Sequence, residues 1–132
     1  MSAPTAGGAA TTGDLPTLDI EVLGGLGLLD EGMGPLLADL IDAFTSVTDA
    51  HLRELHDSVD TGDLPGVRRL AHTVKGSGGQ LGGRALAGAC TRLEEWCETG
   101  PLASGVAAVH EVEVAYRALQ RDLHALVAPD TT

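Results

Sequence analysis

The residues best equipped for chemistry crowd into one stretch, HTVKGSGGQLGG, from His72 to Gly83, where an imidazole, an ammonium and a hydroxyl stand among five glycines in twelve positions. A phosphate-cradling nucleotide loop needs G-x-x-x-x-G-K-[ST] after a buried strand. Here Gly78 to Gly83 run into Arg84-Ala85, so both lysine and hydroxyl are missing at the required place. The dinucleotide pattern G-x-G-x-x-G fails as well, because Leu81 stands where its last glycine belongs. Nucleotide binding by this stretch is therefore rejected. What remains is a flexible hinge or a helix that gives up propensity for something else.

Helical periodicity favours the helix and turns His72 outward. At about 100° per residue, Val67, Leu70, Ala71, Val74, Gly78 and Leu81 point within roughly 50° of one direction, and His72 points roughly 140° away from it. Gly76, Gly79 and Gly83, at four, seven and eleven residues after His72, share its outer sector, with Arg68, Arg69 and Lys75 at the edges. Each interior glycine costs a helix about 0.8–1.0 kcal/mol relative to alanine, so Gly76, Gly78 and Gly79 together forgo about 2–3 kcal/mol. Close helix packing accounts for Gly78. For Gly76 and Gly79 two readings stay open: chance in a chain of eighteen glycines, or a flat pad across which a partner brings a phosphoryl group to His72.

The flanking elements read as helices throughout. Residues 19–26 suggest a short helix with Leu23 and Leu26 inward. Gly34-Pro35 opens a long one, proline being tolerated at a first helical position. Its apolar stripe is Leu37, Leu40, Ile41, Phe44, Val47, Leu52, Leu55 and Val59, regular but for one five-residue step. Gly62 suits a left-handed helix end, and Asp63 suits the cap of the helix that carries His72. A further helix is predicted over 84–99, with Leu86, Cys90, Leu93 and Cys97 inward, before Gly100-Pro101. In the last segment Leu102, Val109, Tyr116 and Leu123 recur at seven, as do Val112, Leu119 and Leu126. No strand-like alternation occurs. The fold class is all-α: an up-down antiparallel four-helix bundle with a short extra N-terminal helix.

Residues 1–17 lack apolar periodicity and are expected to be a disordered tail, followed by the bundle over 18–127 and a C-terminal tail over 128–132. A net charge of −11 opposes binding to nucleic acid and to anionic membrane, and no segment is long and apolar enough for a membrane span. With neither a basic n-region nor an apolar h-region at the start, a cytoplasmic location and a monomer are expected. Cys90 and Cys97 lie seven apart, roughly 10 Å along a helix axis, too far for a disulfide. His51, His56, His110 and His124 are scattered without metal-ligand spacing, so no metal site is expected. Glu95, Glu111 and Glu113 read as a solvated face, and Trp96 as a partly buried packing residue.

H-T-V-K-G-S-G-G-Q-L-G-G, followed by Leu86, Cys90, Leu93, Glu94 and Gly100, resembles the signature H-x-L-K-G-S-x-x-x-L-G…L-x-x-x-C-x-x-L-E…G of histidine-containing phosphotransfer (HPt) domains. The resemblance implies a helical bundle without an ATP site that passes a phosphoryl group to or from a response regulator receiver domain, or takes it from a sensor histidine kinase. It implies that His72 accepts the phosphoryl group through Nε2 and that Lys75 attracts its oxygens. It also implies that Gly76 lets the regulator dock, and that Glu94 accepts a hydrogen bond from Nδ1. Gly79, Arg68 and Arg69 join the docking face. No cofactor of the chain's own is implied, since Mg²⁺ is expected on the partner receiver domain. Val74 replaces the usual leucine, and Gly78 and Gly79 replace more frequent small polar or alanine residues, departures that bear on helix stability.

Residue chemistry agrees with that assignment. A neutral imidazole offers one lone pair without a separate base, and a carboxylate on the other nitrogen selects which one. Glu94 falls roughly 80° off its helix's apolar stripe, at the edge facing a neighbour. Lys75, Arg68 and Arg69 would offset phosphoryl charge in an acidic protein. The competing reading is a helical scaffold that binds a regulator or kinase without phosphotransfer.

Overall fold

The structure is a computed structural model and describes residues 16–100 and 104–127. Five α-helices account for the regular structure of these residues: α1 (Ile20–Gly25), α2 (Gly34–Thr61), α3 (Leu64–Gln80), α4 (Arg84–Thr99) and α5 (Gly105–Val127). Consecutive helices among α2–α5 pack side by side, and α5 closes against α2. With links of only a few residues, these neighbours run antiparallel in a four-helix bundle. None of the described helices is long and apolar enough to cross a membrane.

Helix boundaries follow local chemistry. Gly62 ends α2 with φ 76°, a left-handed conformation that disfavours side chains. Asp63 then accepts a hydrogen bond from the Gly66 amide at 3.0 Å and caps α3, a contact that stabilises the helix by about 1 kcal/mol. Gly82 has φ 85°, and a Cβ there would lie 2.5 Å from the Asp19 carbonyl oxygen. The strap leading into α1 crosses this turn: the Asp19 amide donates to Gly82 O at 2.7 Å, and the Ala85 amide donates to Pro16 O at 3.0 Å.

The core is aliphatic, with Ile41, Leu55, Val67, Val74, Leu86, Leu93 and Leu119 fully buried. Tyr116 is buried among them and meets Phe44 edge-on, ring centroids 5.8 Å apart. Its hydroxyl donates to Thr45 O (3.1 Å) and Asp49 Oδ1 (3.0 Å), and Arg117 binds the same carboxylate oxygen at 3.1 Å. Burial and the Asp49 carboxylate push the phenol up to about 12.

Several positions expected inward are not. Leu40 and Val47 are 38% and 52% exposed. The inward line on α2 runs Ile41, Phe44, Thr48, Leu52, so a buried threonine, not Val47, removes the five-residue step. Leu26 is 60% exposed because it is the residue at which α1 ends, and Leu126 is exposed in the last turn of α5. Cys97 and Val59 are only partly buried, packed against the core. Gly83 does not continue the outer face of His72: α3 ends at Gln80, and Gly83 is buried where a Cβ would come 2.5 Å from Leu119. Leu102, Pro101, residues 1–15 and the 128–132 tail lie outside the described residues.

Candidate functional site

Val67, Leu70, Ala71, Val74 and Gly78 bury one face of α3 and thereby turn His72 outward, its side chain 74% exposed. On α4 the buried stripe is Leu86, Ala89, Cys90 and Leu93, and Glu94, next in sequence, emerges at the seam with α3. The two helices approach closely at Gly78, where a Cβ would meet Leu86 Cδ2 at 2.7 Å. That approach lets side chains cross the seam beside His72.

Glu94 is the centre of the crossing. Its Oε2 lies 3.2 Å from Nδ1 of His72, and its Oε1 accepts from Nζ of Lys75 at 2.6 Å. Only 18% of the Glu94 side chain remains exposed. Partial burial pushes the carboxyl up, but the hydrogen bonds and charges of Lys75 and His72 outweigh it and hold Glu94 below its ordinary value. An ionised carboxylate only accepts hydrogen bonds, so the His72 contact requires the proton on Nδ1 and leaves the Nε2 lone pair free in a neutral ring.

An open groove of about 740 Å³ runs along this seam, and Arg68, Arg69, His72, Lys75, Glu94 and Cys97 line it. Of the sequence-predicted residues, Arg68, Arg69, His72, Lys75 and Glu94 thus meet in one place, with two adjustments. Arg68 is paired with Glu98 at 3.1 Å, both ends well exposed, a contact of little energetic weight. Lys75 is held by Glu94. Arg69 reaches no carboxylate within salt-bridge distance among the described residues. Gly76 and Gly79 stand outside the groove lining on the exposed face of α3, where an added Cβ would meet nothing within 4 Å.

Two features had no sequence signal. The Lys75–Glu94 bond joins residues nineteen apart on different helices. A second groove, of about 270 Å³, lies between α2 and α3, where Leu40 and Val47, core positions by their spacing, are exposed and face Ser77, Gln80 and Leu81. Cys90 is no rival nucleophile: burial and the nearby Glu94 charge, opposed by Lys75, push its thiol up to about 12.

A family model described as Hpt domain matches residues 39–128, more than half of the chain. The chain belongs to the Hpt domain family. Its fold agrees: the crystal structure of histidine-containing phosphotransfer protein B (HptB) from Pseudomonas aeruginosa PAO1 superposes with a TM-score of 0.72 at 31% identity, covering 83% of this chain and 93% of that one. The phosphorelay intermediate protein rdeA of Dictyostelium discoideum is 31% identical over 72 residues, 54% of this chain. That match spans 28% of the length of rdeA. The resemblance read from the His72 motif and the all-helical Hpt fold therefore agree.

Proposed function

We propose that this Hpt domain, over residues 18–127, is a phosphorelay intermediate that carries a phosphoryl group on His72, received from or delivered to the aspartate of a response regulator receiver domain. A sensor histidine kinase supplies the group at the head of such a relay. The observation that carries the reading is the exposed His72 ring whose Nδ1 is held by Glu94 at 3.2 Å.

In the transfer step the Nε2 lone pair attacks the phosphorus of an aspartyl phosphate. The N–P bond forms as the P–O bond to the aspartate breaks, and the aspartate leaves as a carboxylate. The ring keeps its Nδ1 proton, and the positive charge that develops on it is met by Glu94. Lys75, Arg68 and Arg69 surround the acceptor with positive charge in a protein of net charge −11. The receiver's own carboxylates would hold the Mg²⁺ that phosphoryl transfer uses. Gly76 and Gly79 leave the face of α3 flat for the receiver, and the apolar groove at Leu40 and Val47 adds the kind of exposed hydrophobic surface that protein partners cover.

Incubation with a phosphorylated receiver domain tests the proposal. Wild type is expected to gain an acid-labile, base-stable phosphate that His72→Ala does not gain. Labelling of neither protein, in the presence of demonstrable binding, would leave the scaffold reading in its place, and equal labelling of the two would put the phosphoryl group on a residue other than His72.

A further inference from the structure

Charge is divided unevenly along the chain. All eight lysines and arginines lie at Arg53 or beyond, so residues 1–52 hold acids and no such base. Glu21, Asp30, Glu31 and Asp39 are exposed there, and none of the four enters a salt bridge among the described residues. Arg84 does reach this end, where Asp19 takes it at 3.4 Å. The same elements line an apolar groove of about 440 Å³, formed by Val22, Leu26, Leu28, Leu40, Gln80 and Leu81. Glu21 adjoins Val22 in the chain, Asp39 adjoins Leu40, and Asp30 and Glu31 follow Leu28 closely. We infer that this acidic, apolar end selects the receiver and its orientation by charge: it accepts a docking face whose apolar side chains are flanked by lysine or arginine and rejects one flanked by carboxylates. The inference rests on the phosphotransfer reading and adds the chemistry of the partner surface.

Apolar burial is non-directional, so on its own it discriminates poorly between partners. Discrimination needs a penalty for the wrong one, which like charges brought together supply. The groove belongs with the His72 site because Leu40, Gln80 and Leu81 line both it and the α2–α3 groove that runs to Val47 and Thr48. Gln80 stands eight residues past His72 on α3, roughly 12 Å along the axis, with Gly76 and Gly79 between them. One partner of ordinary interface size covers that span. Arg68, Arg69 and Lys75 line the other end, where the receiver brings its Mg²⁺-binding carboxylates. A receiver acidic around its aspartate and basic farther out is therefore attracted at both ends, and one docked in reverse meets like charge at both. Thr48 floors the connecting groove, 1% exposed, and its hydroxyl has no hydrogen-bond partner among the described residues. A donor carried in beside Val47 would satisfy it.

The test uses the full chain and a phosphorylated receiver domain that binds it, with binding constants and transfer rates measured in about 50 mM and about 500 mM NaCl. Glu21→Lys/Asp39→Lys reverses two charges at the apolar groove, and Asp57→Lys/Asp60→Lys makes the same change in net charge near the far end of α2. In low salt the first pair is expected to slow transfer about tenfold, and the second to stay within about twofold of wild type. In high salt, where the Debye length falls to about 4 Å, the gap should close, which a folding defect would not allow. Equal rates for Glu21→Lys/Asp39→Lys and wild type in low salt, a deficit just as large in high salt, or an equal loss in Asp57→Lys/Asp60→Lys would overturn the inference. The phosphotransfer reading fails differently. Salt-dependent binding that Glu21→Lys/Asp39→Lys weakens, with no phosphate gained by His72, would sink that reading and leave the charge selection standing.

Discussion

Nδ1 of His72 lies 3.2 Å from Oε2 of Glu94, although 22 positions separate the two residues in the chain. The contact joins α3 to α4 where an exposed ring meets a largely enclosed carboxylate. It makes the reactive nitrogen a consequence of helix packing.

Replacing Glu94 separates its charge from its shape. Glu94→Gln leaves one acceptor oxygen for two donors, Nδ1 of His72 and Nζ of Lys75, and removes the charge, so it should slow transfer, as should Glu94→Ala, by about 10- to 100-fold with helicity unchanged by circular dichroism. The carboxyl sits below its ordinary value in the fold. Its contribution to stability is therefore fully present above the unfolded value, about 4.3 for glutamate, and is lost as pH falls through the lower folded value. Urea midpoints of wild type and Glu94→Gln should converge below about pH 4 and differ at neutral pH.

The glycines of α3 should divide sharply. Gly76→Ala meets open space and should raise stability by about 1 kcal/mol through helix propensity. Gly76→Leu should remain folded but slow transfer from a phosphorylated receiver by about tenfold or more, equivalent to ~1.4 kcal/mol of docking. Gly78→Ala drives a Cβ to 2.7 Å from Leu86 Cδ2, and overpacking of about 1–3 kcal/mol should outweigh the propensity gain and lower the urea midpoint. Equal behaviour of the two alanine variants would contradict this packing.

Tyr116 is the chain's one tyrosine, so its ionisation can be followed alone by ultraviolet absorbance. The folded protein should titrate near about 12, and the urea-unfolded chain near about 10. Because the folded value is the higher, the stabilisation is complete below pH ~10 and declines as pH rises toward the folded value. Tyr116→Phe, which removes the bonds to Thr45 and Asp49, should cost about 0.5–1.5 kcal/mol.

The two thiols should react unequally. Cys90 is buried with its thiol pushed up to about 12, while Cys97 is partly exposed on the groove. A thiol reagent at pH 8 should modify Cys97 in the native protein, slowly because burial also raises that thiol, and reach both residues only after unfolding. Rapid reaction of two thiols in the native state would contradict the burial of Cys90.

Much of this arrangement was legible along the chain. The glycine and aspartate at 62 and 63 mark one helix's end and the next one's cap by backbone preferences that neighbours hardly alter. The stripe from Val67 to Val74 turns His72 outward because one helix's periodicity decides which of its residues face the core. The reading failed where a residue's fate depended on a second element. Leu40 and Val47 satisfy the spacing of α2, yet none of the described helices covers them, and Thr48 is buried in their stead. Gly83 satisfies the spacing of α3, yet the chain has already turned at Gly82 under the strap from Asp19.

By itself, then, the amino-acid sequence determined the helices, their ends and the outward course of His72, since each rests on interactions within about one turn of backbone. Tertiary structure alone decided that Glu94 would divide its oxygens between His72 and Lys75. The distance across a helix seam is set by how deeply the two rods interlock, here at Gly78 against Leu86, and no periodicity within either rod encodes that depth.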